Sequence, residues 1–463
     1  MRNVQRPVFA VVLALLALPA IRWTAFAQVP PNPYRIVEGW AQLPNGRAMG
    51  AVGKVVTDND GRHIWAIVRC DRLEDPSRFG DECRDSKTDP ILKFGPDGKV
   101  VKSFGGGLFI WPHGLALDRD GNVWVTDAVA DNRTPKGDKR GQIAVKFSPE
   151  GKVLMTLGTP GQSGSGPDHF TSPSDIVVAP NGDIFVADGH NDVGHNRVAK
   201  FSPDGKFVKA WGKSGWAPGE FHALHAIAMD SRGRIFVGDR GNNRIQIFDQ
   251  DGKSLTTPWT QFGKPSGIAF DGKDQIYVAD SESDDVQNPG WEEGIRIGDA
   301  KSGWMTAFIM YPWGDPRQTA GDGAEFVAID RDGNIYGGEP RPKRLQKYVR
   351  VRPKDPINSR WTRNAQTAEN AEYAEHSGLR ILRFLRVQRS DVPHRDADGM
   401  PRRDIPPRSS PTPRNLTARR GTAVRSMSRA GTTQQSAAVR PVAPRRKSPY
   451  CARPCRLDAR RAA

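Results

Sequence analysis

The chain has 463 residues, a net charge of +16 and 37% hydrophobic residues, which is enough for two or three average domains or one large β domain. Residues 351–463 hold 25 Lys and Arg against 9 Asp and Glu, so this last quarter carries the whole positive excess. The neutral remainder, residues 1–350, is therefore excluded as a basic nucleic-acid-binding domain. It also holds 44 of the 48 glycines, which indicates turn-rich β structure rather than helices.

The first 27 residues have the pattern of a secretory signal peptide. Two arginines precede an apolar run at 8–20, and the small-x-small sequence AFA follows at 25–27. The apolar run is short for a membrane span, and the alternative is an uncleaved N-terminal anchor. We expect a mature chain that starts near Gln28, is secreted or periplasmic, and has no membrane span after signal removal.

The four cysteines form two close pairs, Cys70 with Cys83 and Cys451 with Cys455. An exported protein meets an oxidising compartment, which permits a Cys70–Cys83 disulfide that closes a short, charged loop. Neither pair has the two-residue spacing of a zinc knuckle, so neither is interpreted as a metal site.

Five segments share one layout: an apolar strand is followed by a polar turn and then by a second, alternating strand that ends in an acid. Alternation with a period of two is typical of β-strands, and tetrads such as PDGK and DRDG are hairpin turns. Most segments are followed by a third strand, and a sixth, degenerate copy occupies 53–69. The five segments are PHGLALDRDGNVWVTD (112–127), PSDIVVAPNGDIFVAD (173–188), LHAIAMDSRGRIFVGD (224–239), PSGIAFDGKDQIYVAD (265–280) and AEFVAIDRDGNIYGGE (324–339).

Six antiparallel units of this length predict radial closure into a β-propeller, which leaves only short, protected strand edges. The last repeat supplies three strands and ends near Val351, so RIVEGW at 35–40 is the candidate fourth strand that closes the ring. A β-solenoid is the alternative, but it would want shorter and more uniform repeats. These repeats resemble the NHL-repeat propellers over about residues 34–350, and we expect an all-β, six-bladed NHL-type β-propeller at 28–352.

Residues 353–463 differ in composition from the repeats, because Arg, Pro, Ser and Thr dominate there and the apolar periodicity fades. Such a stretch cannot bury enough apolar surface to offset its ordering entropy, so we expect a disordered, Arg-rich basic tail. The segment LRILRFLRVQR at 379–389 also fits a basic helix for a membrane surface or a nucleic acid. A third interpretation is out-of-frame translation of GC-rich DNA, which gives a similar composition.

One position, eight residues before the turn glycine of each repeat, carries ligand-type side chains on alternate repeats. It reads His113, Ser174, His225, Ser266 (Asp274 replaces the glycine here) and Glu325. Alternate blades of a six-bladed ring are about a third of a turn apart, and innermost strands line the channel. We therefore expect the two His and the Glu to converge on the axis. Two imidazoles and one carboxylate with open positions form a catalytic shell for zinc or iron(II).

Further polar residues follow the second strands and should lie at the same mouth of the channel. Arg69 ends the second strand of the first repeat, His190 follows Asp188-Gly189, and Arg240 follows Asp239. Two arginines at one mouth could clamp a carboxylate in bidentate fashion or form surface ion pairs. The acids that end the second strands are interpreted as structural acceptors of backbone N–H groups in turns: Asp127, Asp188, Asp239 and Asp280.

A closer resemblance rests on WPHGLALDRDGNVWVTD, on VADGH with NRVAKFSPDGKFVKAWG, and on LHAIAMD with VGDRGNNRIQIF. These motifs resemble the peptidyl-α-hydroxyglycine α-amidating lyases. The resemblance implies a six-bladed propeller with an axial zinc, or another divalent transition metal, that cleaves a peptidyl-hydroxyglycine to an amide and glyoxylate. It implies the metal ligands His113, His225 and Glu325, where the family has His at the third position.

The same resemblance assigns the other site residues. It implies that Arg69 and Arg240 hold the substrate carboxylate, and that His190 stands at the position of the family's catalytic Tyr. Phe326 stands where the family has an Asp used for a structural calcium, so that calcium is not expected. The imidazole of His190, with an unperturbed pKa near 6.5, suits a base at neutral pH.

Three functions are therefore weighed. The first is a secreted, monomeric, metal-dependent lyase acting on a small peptide or small molecule with a carboxylate, without nucleic acid as a partner. The second is a non-catalytic NHL propeller that binds a peptide, protein or glycan. The third is a gluconolactonase-like hydrolase, whose calcium would need carboxylate and Asn ligands that this ring position does not supply.

Overall fold

The computed structural model describes the chain from residue 30 to residue 351. The expected signal peptide at 1–27 and the expected tail at 353–463 lie outside the described residues. Among the residues described, no helix is long and apolar enough to cross a membrane. Within 30–351 the stretches left undescribed are 71–78, 191–194, 316–317 and 319–320.

The described residues form 23 β-strands in six antiparallel sheets. The innermost strands of successive sheets contact one another around a closed circle, which makes the sheets the blades of a six-bladed propeller, as predicted. Blade one contains β2 Val52–Thr57, β3 Ile64–Val68, β4 Ile91–Phe94 and β5 Val100–Phe104, and blade two contains β6 Pro112–Leu117, β7 Val123–Asp127, β8 Ile143–Phe147 and β9 Val153–Leu157. Blade three contains β10 Pro173–Val178, β11 Ile184–Asp188, β12 Arg197–Phe201 and β13 Phe207–Trp211, and blade four contains β14 Leu224–Met229, β15 Ile235–Asp239 and β16 Arg244–Phe248. Blade five contains β17 Gly267–Phe270, β18 Gln275–Asp280, β19 Gly294–Asp299 and β20 Met305–Met310, and blade six contains β21 Phe326–Ile329, β22 Ile335–Glu339, β23 Arg344–Arg350 and β1 Tyr34–Val37.

The ring is closed by the first strand of the chain. β1 pairs antiparallel with β23, with Tyr34 opposite Arg350 and Val37 opposite Lys347. The segment predicted to be the missing fourth strand of the last blade therefore takes that place. Because this pairing joins the two ends of the propeller, blade six is built from strands that are over 300 residues apart in the chain.

The fourth blade has three named strands instead of four. Its outer edge is met by isolated bridges between Ile245 and Trp259 and between Phe248 and Ser254. The outer segment contains Pro258, which has no N–H to donate to a ladder. A regular fourth strand therefore does not form on this blade.

Each blade places one large aromatic side chain at the same point of its second strand. The aromatic residue lies opposite an Ala or Val of the first strand. Each of the six aromatic side chains is at most 2% exposed. Burying a side chain of this kind stabilises the fold by roughly 1.5–3 kcal/mol. The six residues are Trp65, Trp124, Phe185, Phe236, Tyr277 and Tyr336.

The strand-end acids have the structural role predicted for them. Asp127 accepts hydrogen bonds from the amides of Ile110 and Trp111, at 2.7 and 2.9 Å. Asp188 accepts two amides in the same way. Asp239 and Asp280 each accept an amide from the segment that leads into the blade's first strand, which fixes the entrance of that strand.

The disulfide predicted between Cys70 and Cys83 is present, with Cα atoms 5.1 Å apart. Arg47 donates from Nη2 to the carbonyl of Cys70 at 2.7 Å and from Nη1 to the carbonyl of Asp89 at 3.1 Å. Cys70 directly follows Arg69, so the disulfide and Arg47 together fix the backbone that carries Arg69.

Candidate metal centre and active site

The strand pairing places one residue of every blade at the same height, where the innermost strand begins. In the first four blades this point coincides with a shift of register between the first and second strands. Such bulges re-aim a side chain relative to a regular strand. The residues at this height are Gly53, His113, Ser174, His225, Ser266 and Glu325.

Three of these side chains meet at the axis, together with His190. One ligand atom from each of His113, His190, His225 and Glu325 lies within 4.8 Å of the others, and all four residues are buried. Oε1 of Glu325 lies 3.2 Å from Nε2 of His225 and 3.7 Å from Nε2 of His113. The alternate-blade spacing of the sequence thus becomes a single cluster.

The backbone of the next blade orients both axial imidazoles. Nδ1 of His113 donates to the carbonyl of Ser174 at 2.7 Å, and Nδ1 of His225 donates to the carbonyl of Ser266 at 2.5 Å. A carbonyl oxygen only accepts, so the proton of each neutral ring is on Nδ1 and the lone pair is on Nε2. Ligand histidines in metal sites are held in this way.

These contacts give a test of whether the residues fit a metal ion. The Nε2 lone pairs face the Glu325 carboxylate, an arrangement that is repulsive unless a proton or a cation lies between them. Zinc–nitrogen and zinc–oxygen bonds near 2.0–2.1 Å put tetrahedral ligands roughly 3.3–3.4 Å apart, close to the distances in the cluster. Among the described residues, Nε2 of His113 and Oε2 of Glu325 have no hydrogen-bond partner. The donor set therefore fits a divalent transition metal.

Burial and charge determine the protonation of the cluster. Burial, with the charge of Arg240, lowers the pKa of His225 to about 3. Burial alone would raise the pKa of Glu325, but the imidazoles of His113 and His225 beside its carboxylate outweigh burial and hold that pKa well below its ordinary value. A carboxylate and neutral imidazoles are the forms that bind metals.

His190 closes the cluster from the mouth of the channel. It follows β11, and its amide donates to the carbonyl of Ser172 at 3.1 Å. Its ring centroid lies 4.5 Å from that of His113 and 4.9 Å from that of His225. Burial, the two neighbouring imidazoles and the charge of Arg240 hold the pKa of His190 well below its ordinary value. The prediction of an unperturbed pKa near 6.5 is therefore wrong, because a ring buried beside these groups is kept neutral.

Arg69 lies beside the carboxylate of the cluster and is fully buried. Its Nη2 is 3.6 Å from Oε2 of Glu325, and its guanidinium lies over the Trp111 ring, 5.3 Å from the centroid. In the described part of the chain, neither terminal nitrogen of Arg69 has a hydrogen-bond partner. Nη2 of Arg69 therefore faces the cluster, whereas Nη1 lies 3.8 Å from Oε1 of Glu82.

Arg240 follows β15 at the same rim and is 7% exposed. Its charge helps lower the pKa of both His225 and His190, so it acts on the cluster electrostatically. Its Nη1 makes an ion pair of 2.9 Å with Oε1 of Glu282. Both arginines predicted at the mouth thus lie there, each already near a carboxylate of the protein.

A buried ion pair and an aromatic ring form the floor of the cluster, one residue further along the inner strands. Nζ of Lys54 lies 2.7 Å from Oδ2 of Asp175 and 4.7 Å from the centroid of Phe326. The Phe326 ring stacks on His225, with centroids 5.2 Å apart. Gly114 occupies this level in blade two, where a Cβ would lie 2.6 Å from Cα of Asp175. The channel is thus filled at this level.

Comparison with known proteins agrees with the repeats. A family model for the NHL repeat matches residues 170–201 and 221–248. NHL repeat-containing protein 3 of Homo sapiens is 33% identical over 283 residues, which cover 58% of this chain and 73% of that relative. The chain belongs to the NHL-repeat propeller family.

Other relatives of this NHL propeller have names that state an activity. Peptidyl-alpha-hydroxyglycine alpha-amidating lyase 1 of Drosophila melanogaster is 32% identical over 344 residues, covering 69% of this chain and 60% of that relative. Peptidyl-glycine alpha-amidating monooxygenase A of Xenopus laevis is 36% identical over 321 residues, covering 66% of this chain. The chain spans 21–33% of the length of the monooxygenases of Xenopus laevis and Mus musculus that it matches.

Several residues that surround the cluster of this NHL propeller were not predicted from the sequence. Trp111 contacts His113 and His190 with centroids 5.2 and 4.6 Å away, and only its place before the PHGL motif pointed to it. Lys54 and Asp175 had a clearer signal. Both are charged residues, and they stand at a repeat position where the other blades have small or aromatic residues such as Gly114.

Proposed function

We propose that this protein is an exported, metal-dependent C–N lyase that cleaves a peptidyl-α-hydroxyglycine-type substrate to an amide and glyoxylate. The observation that carries the proposal is the His113, His225 and Glu325 cluster, in which lone pairs from alternate blades face one point. The names of the Drosophila melanogaster relative and of a Caenorhabditis elegans relative, each at 32% identity, support this chemistry for the chain.

In this reaction the bond between the amide nitrogen and the α-carbon breaks. The α-hydroxyl loses its proton, its oxygen forms the carbonyl of glyoxylate, and the nitrogen leaves with the bonding pair and takes up a proton. His113, His225 and Glu325 would hold the divalent metal, which supplies Lewis-acid polarisation of a substrate oxygen. The protein must also orient the substrate and accept the hydroxyl proton.

Arg69 and Arg240 orient the substrate by its carboxylate. The terminal nitrogens of Arg69 have no hydrogen-bond partner in the part of the chain described, and they lie 3.6–3.8 Å from carboxylates of Glu325 and Glu82. A substrate carboxylate would supply the hydrogen-bond acceptors that these buried donors lack. Holding the carboxylate at the rim fixes the adjacent α-carbon against the cluster, and such positioning converts binding energy into rate.

His190 accepts the hydroxyl proton and can return it to the leaving nitrogen. Its ring lies against both axial histidines and faces the same space. A neutral imidazole has one nitrogen that can accept a proton, and general-base catalysis of this kind contributes about 10²–10⁴-fold. Trp111 packs edge-on against His190 and fixes the plane of the ring.

The export and the partners of the protein belong to the same proposal. The Cys70–Cys83 disulfide supports an oxidising compartment, in agreement with the signal-like pattern at 1–27. A rim with two arginines supports a small peptide or small molecule that carries a carboxylate, and we propose that the protein acts as a monomer.

The test is the release of glyoxylate from N-benzoyl-α-hydroxyglycine by zinc-loaded protein. We expect glyoxylate and benzamide in equal amounts, loss of turnover on chelation, and at least a tenfold loss in Arg240→Ala and in His190→Ala. His195→Ala and Arg119→Ala are the matched controls, because both residues are exposed and lie outside the cluster. No glyoxylate above background from fully metallated protein would reject the lyase and favour a binding propeller.

A further inference from the structure

Glu282 is a carboxylate of the protein that lies between two buried cations at the mouth of the channel. Its Oε1 is 2.9 Å from Nη1 of Arg240, and its Oε2 is 4.0 Å from Nζ of Lys264. The Glu282 side chain is 33% exposed, whereas those of Arg240 and Lys264 are 8% exposed. The carboxylate is therefore the accessible partner, and the two cations are buried.

The two cations differ in how closely they hold Glu282. The Arg240 contact is a short ion pair, with Nη1 2.9 Å from Oε1. The Lys264 contact, at 4.0 Å, is too long for a hydrogen bond. Glu282 nevertheless acts on this lysine electrostatically: burial and the charge of Arg240 lower the pKa of Lys264, and the charge of Glu282 opposes that shift. A small rotation of Glu282 would exchange the first partner for the second.

Other acids near this lysine are already engaged. Asp280 accepts the amide of Lys264 at 3.0 Å and the guanidinium of Arg296 at 2.9 Å. The side-chain oxygen of Asp284 accepts amides of its own loop, from Val286 and Gln287. Glu282 is thus the carboxylate that can move between the two cations without breaking another contact of the rim.

We propose that Glu282 is a built-in competitor of the substrate carboxylate: it occupies Arg240 in the ligand-free protein and moves to Lys264 when a carboxylate ligand binds. This inference rests on the proposed role of Arg240 in holding the substrate carboxylate. Glu282 keeps the buried guanidinium paired between turnovers, and Lys264 keeps the displaced carboxylate paired during them. The arrangement selects ligands whose carboxylate binds Arg240 better than Glu282 does.

The exchange predicts the signs of three variants. Glu282→Gln removes the competitor and should tighten binding of a carboxylate ligand about fivefold, the size of a partly exposed ion pair. Lys264→Met removes the second partner and should weaken binding by a similar factor. Once Glu282 is neutral, Lys264 has no displaced carboxylate to hold, so the double variant should bind as tightly as Glu282→Gln alone.

The experiment is calorimetric titration of zinc-loaded protein with N-acetylglycine, with N-acetylglycinamide as the matched probe without a carboxylate. Lys206→Met, in an exposed pair with Asp204, is the control for loss of a surface charge. Thermal melts of each variant establish that it is folded. Binding of the amide should be weak and equal in all variants.

The outcomes separate this inference from the proposed reaction. Unchanged or weaker N-acetylglycine binding in Glu282→Gln, or no binding by any variant, overturns the competitor role even if glyoxylate is released. A double variant that binds more weakly than Glu282→Gln shows that Lys264 contacts the ligand itself and overturns the exchange. The expected pattern without glyoxylate release leaves the exchange standing and rejects only the lyase.

Discussion

Replacing Lys54 by Met isolates the contribution of the buried ion pair beneath the cluster. Lys54 and Asp175 are 5% and 0% exposed and 2.7 Å apart, and Asp175 keeps an amide of Ile227 at 3.0 Å as its other long-range partner. Removing one member of such a pair leaves a buried charge without a partner, which costs about 3–5 kcal/mol. Asp175→Asn in the Lys54→Met background should recover much of that loss, because no charge then remains.

The loss should depend on pH with a definite sign. Burial raises the pKa of Asp175 even with the Lys54 charge present, and removing that charge raises it further. A carboxyl group whose pKa is higher in the folded state contributes stability at low pH and loses it as pH rises through the folded pKa. The destabilisation of Lys54→Met should therefore be full near pH 8 and shrink as the solution is acidified.

Urea unfolding followed by tryptophan fluorescence, between pH 5 and pH 8, measures both effects. Lys206→Met, at an exposed pair, should leave the midpoint unchanged and serves as the control. A loss below about 1 kcal/mol at pH 8, or one independent of pH, would mean that Asp175 is satisfied without Lys54. The Lys54–Asp175 ion pair would then not be what stabilises the floor of the channel.

Two other predictions concern the ends of the domain and its disulfide. A chain shortened to 28–352 should melt within a few degrees of the full chain, because the repeats and the closing strand β1 lie inside it; a large drop on truncation would show that outer segments stabilise the propeller. In exported protein, peptide mass mapping should find Cys70 and Cys83 oxidised, and Cys83→Ala should cost roughly 3 kcal/mol of unfolding free energy. Free thiols at both positions in exported protein would contradict the second prediction.

The fold was predictable because it repeats. Each copy carries the same alternation and the same turn, so six weak strand patterns support one another, and only closure avoids long exposed edges. The pairing of β1 with β23 followed from the last repeat having three strands. The three-stranded fourth blade could not be predicted from the repeats. Pro258 in its outer segment does not indicate that isolated bridges replace the hydrogen-bond ladder of a fourth strand.

The axial side chains were predictable, whereas their surroundings were not. His113, His225 and Glu325 share a repeat position, and in a ring a shared position means a shared height. The contacts of Lys54 with Asp175, and of Arg240 with Glu282, join different blades. Such contacts depend on side-chain conformation across a blade interface, which the repeat pattern does not encode.

The metal content of purified protein tests the central claim most directly. Metal analysis by mass spectrometry should find about one divalent transition metal ion per chain, with zinc expected first. His113→Ala with His225→Ala should abolish it, whereas Ser174→Ala, whose backbone carbonyl still accepts from His113, should retain it. Glu325→Ala should weaken binding, and Glu325→His should restore it, because imidazole suits the same shell. Metal that persists in the double His variant would contradict the assignment of the cluster as a metal centre.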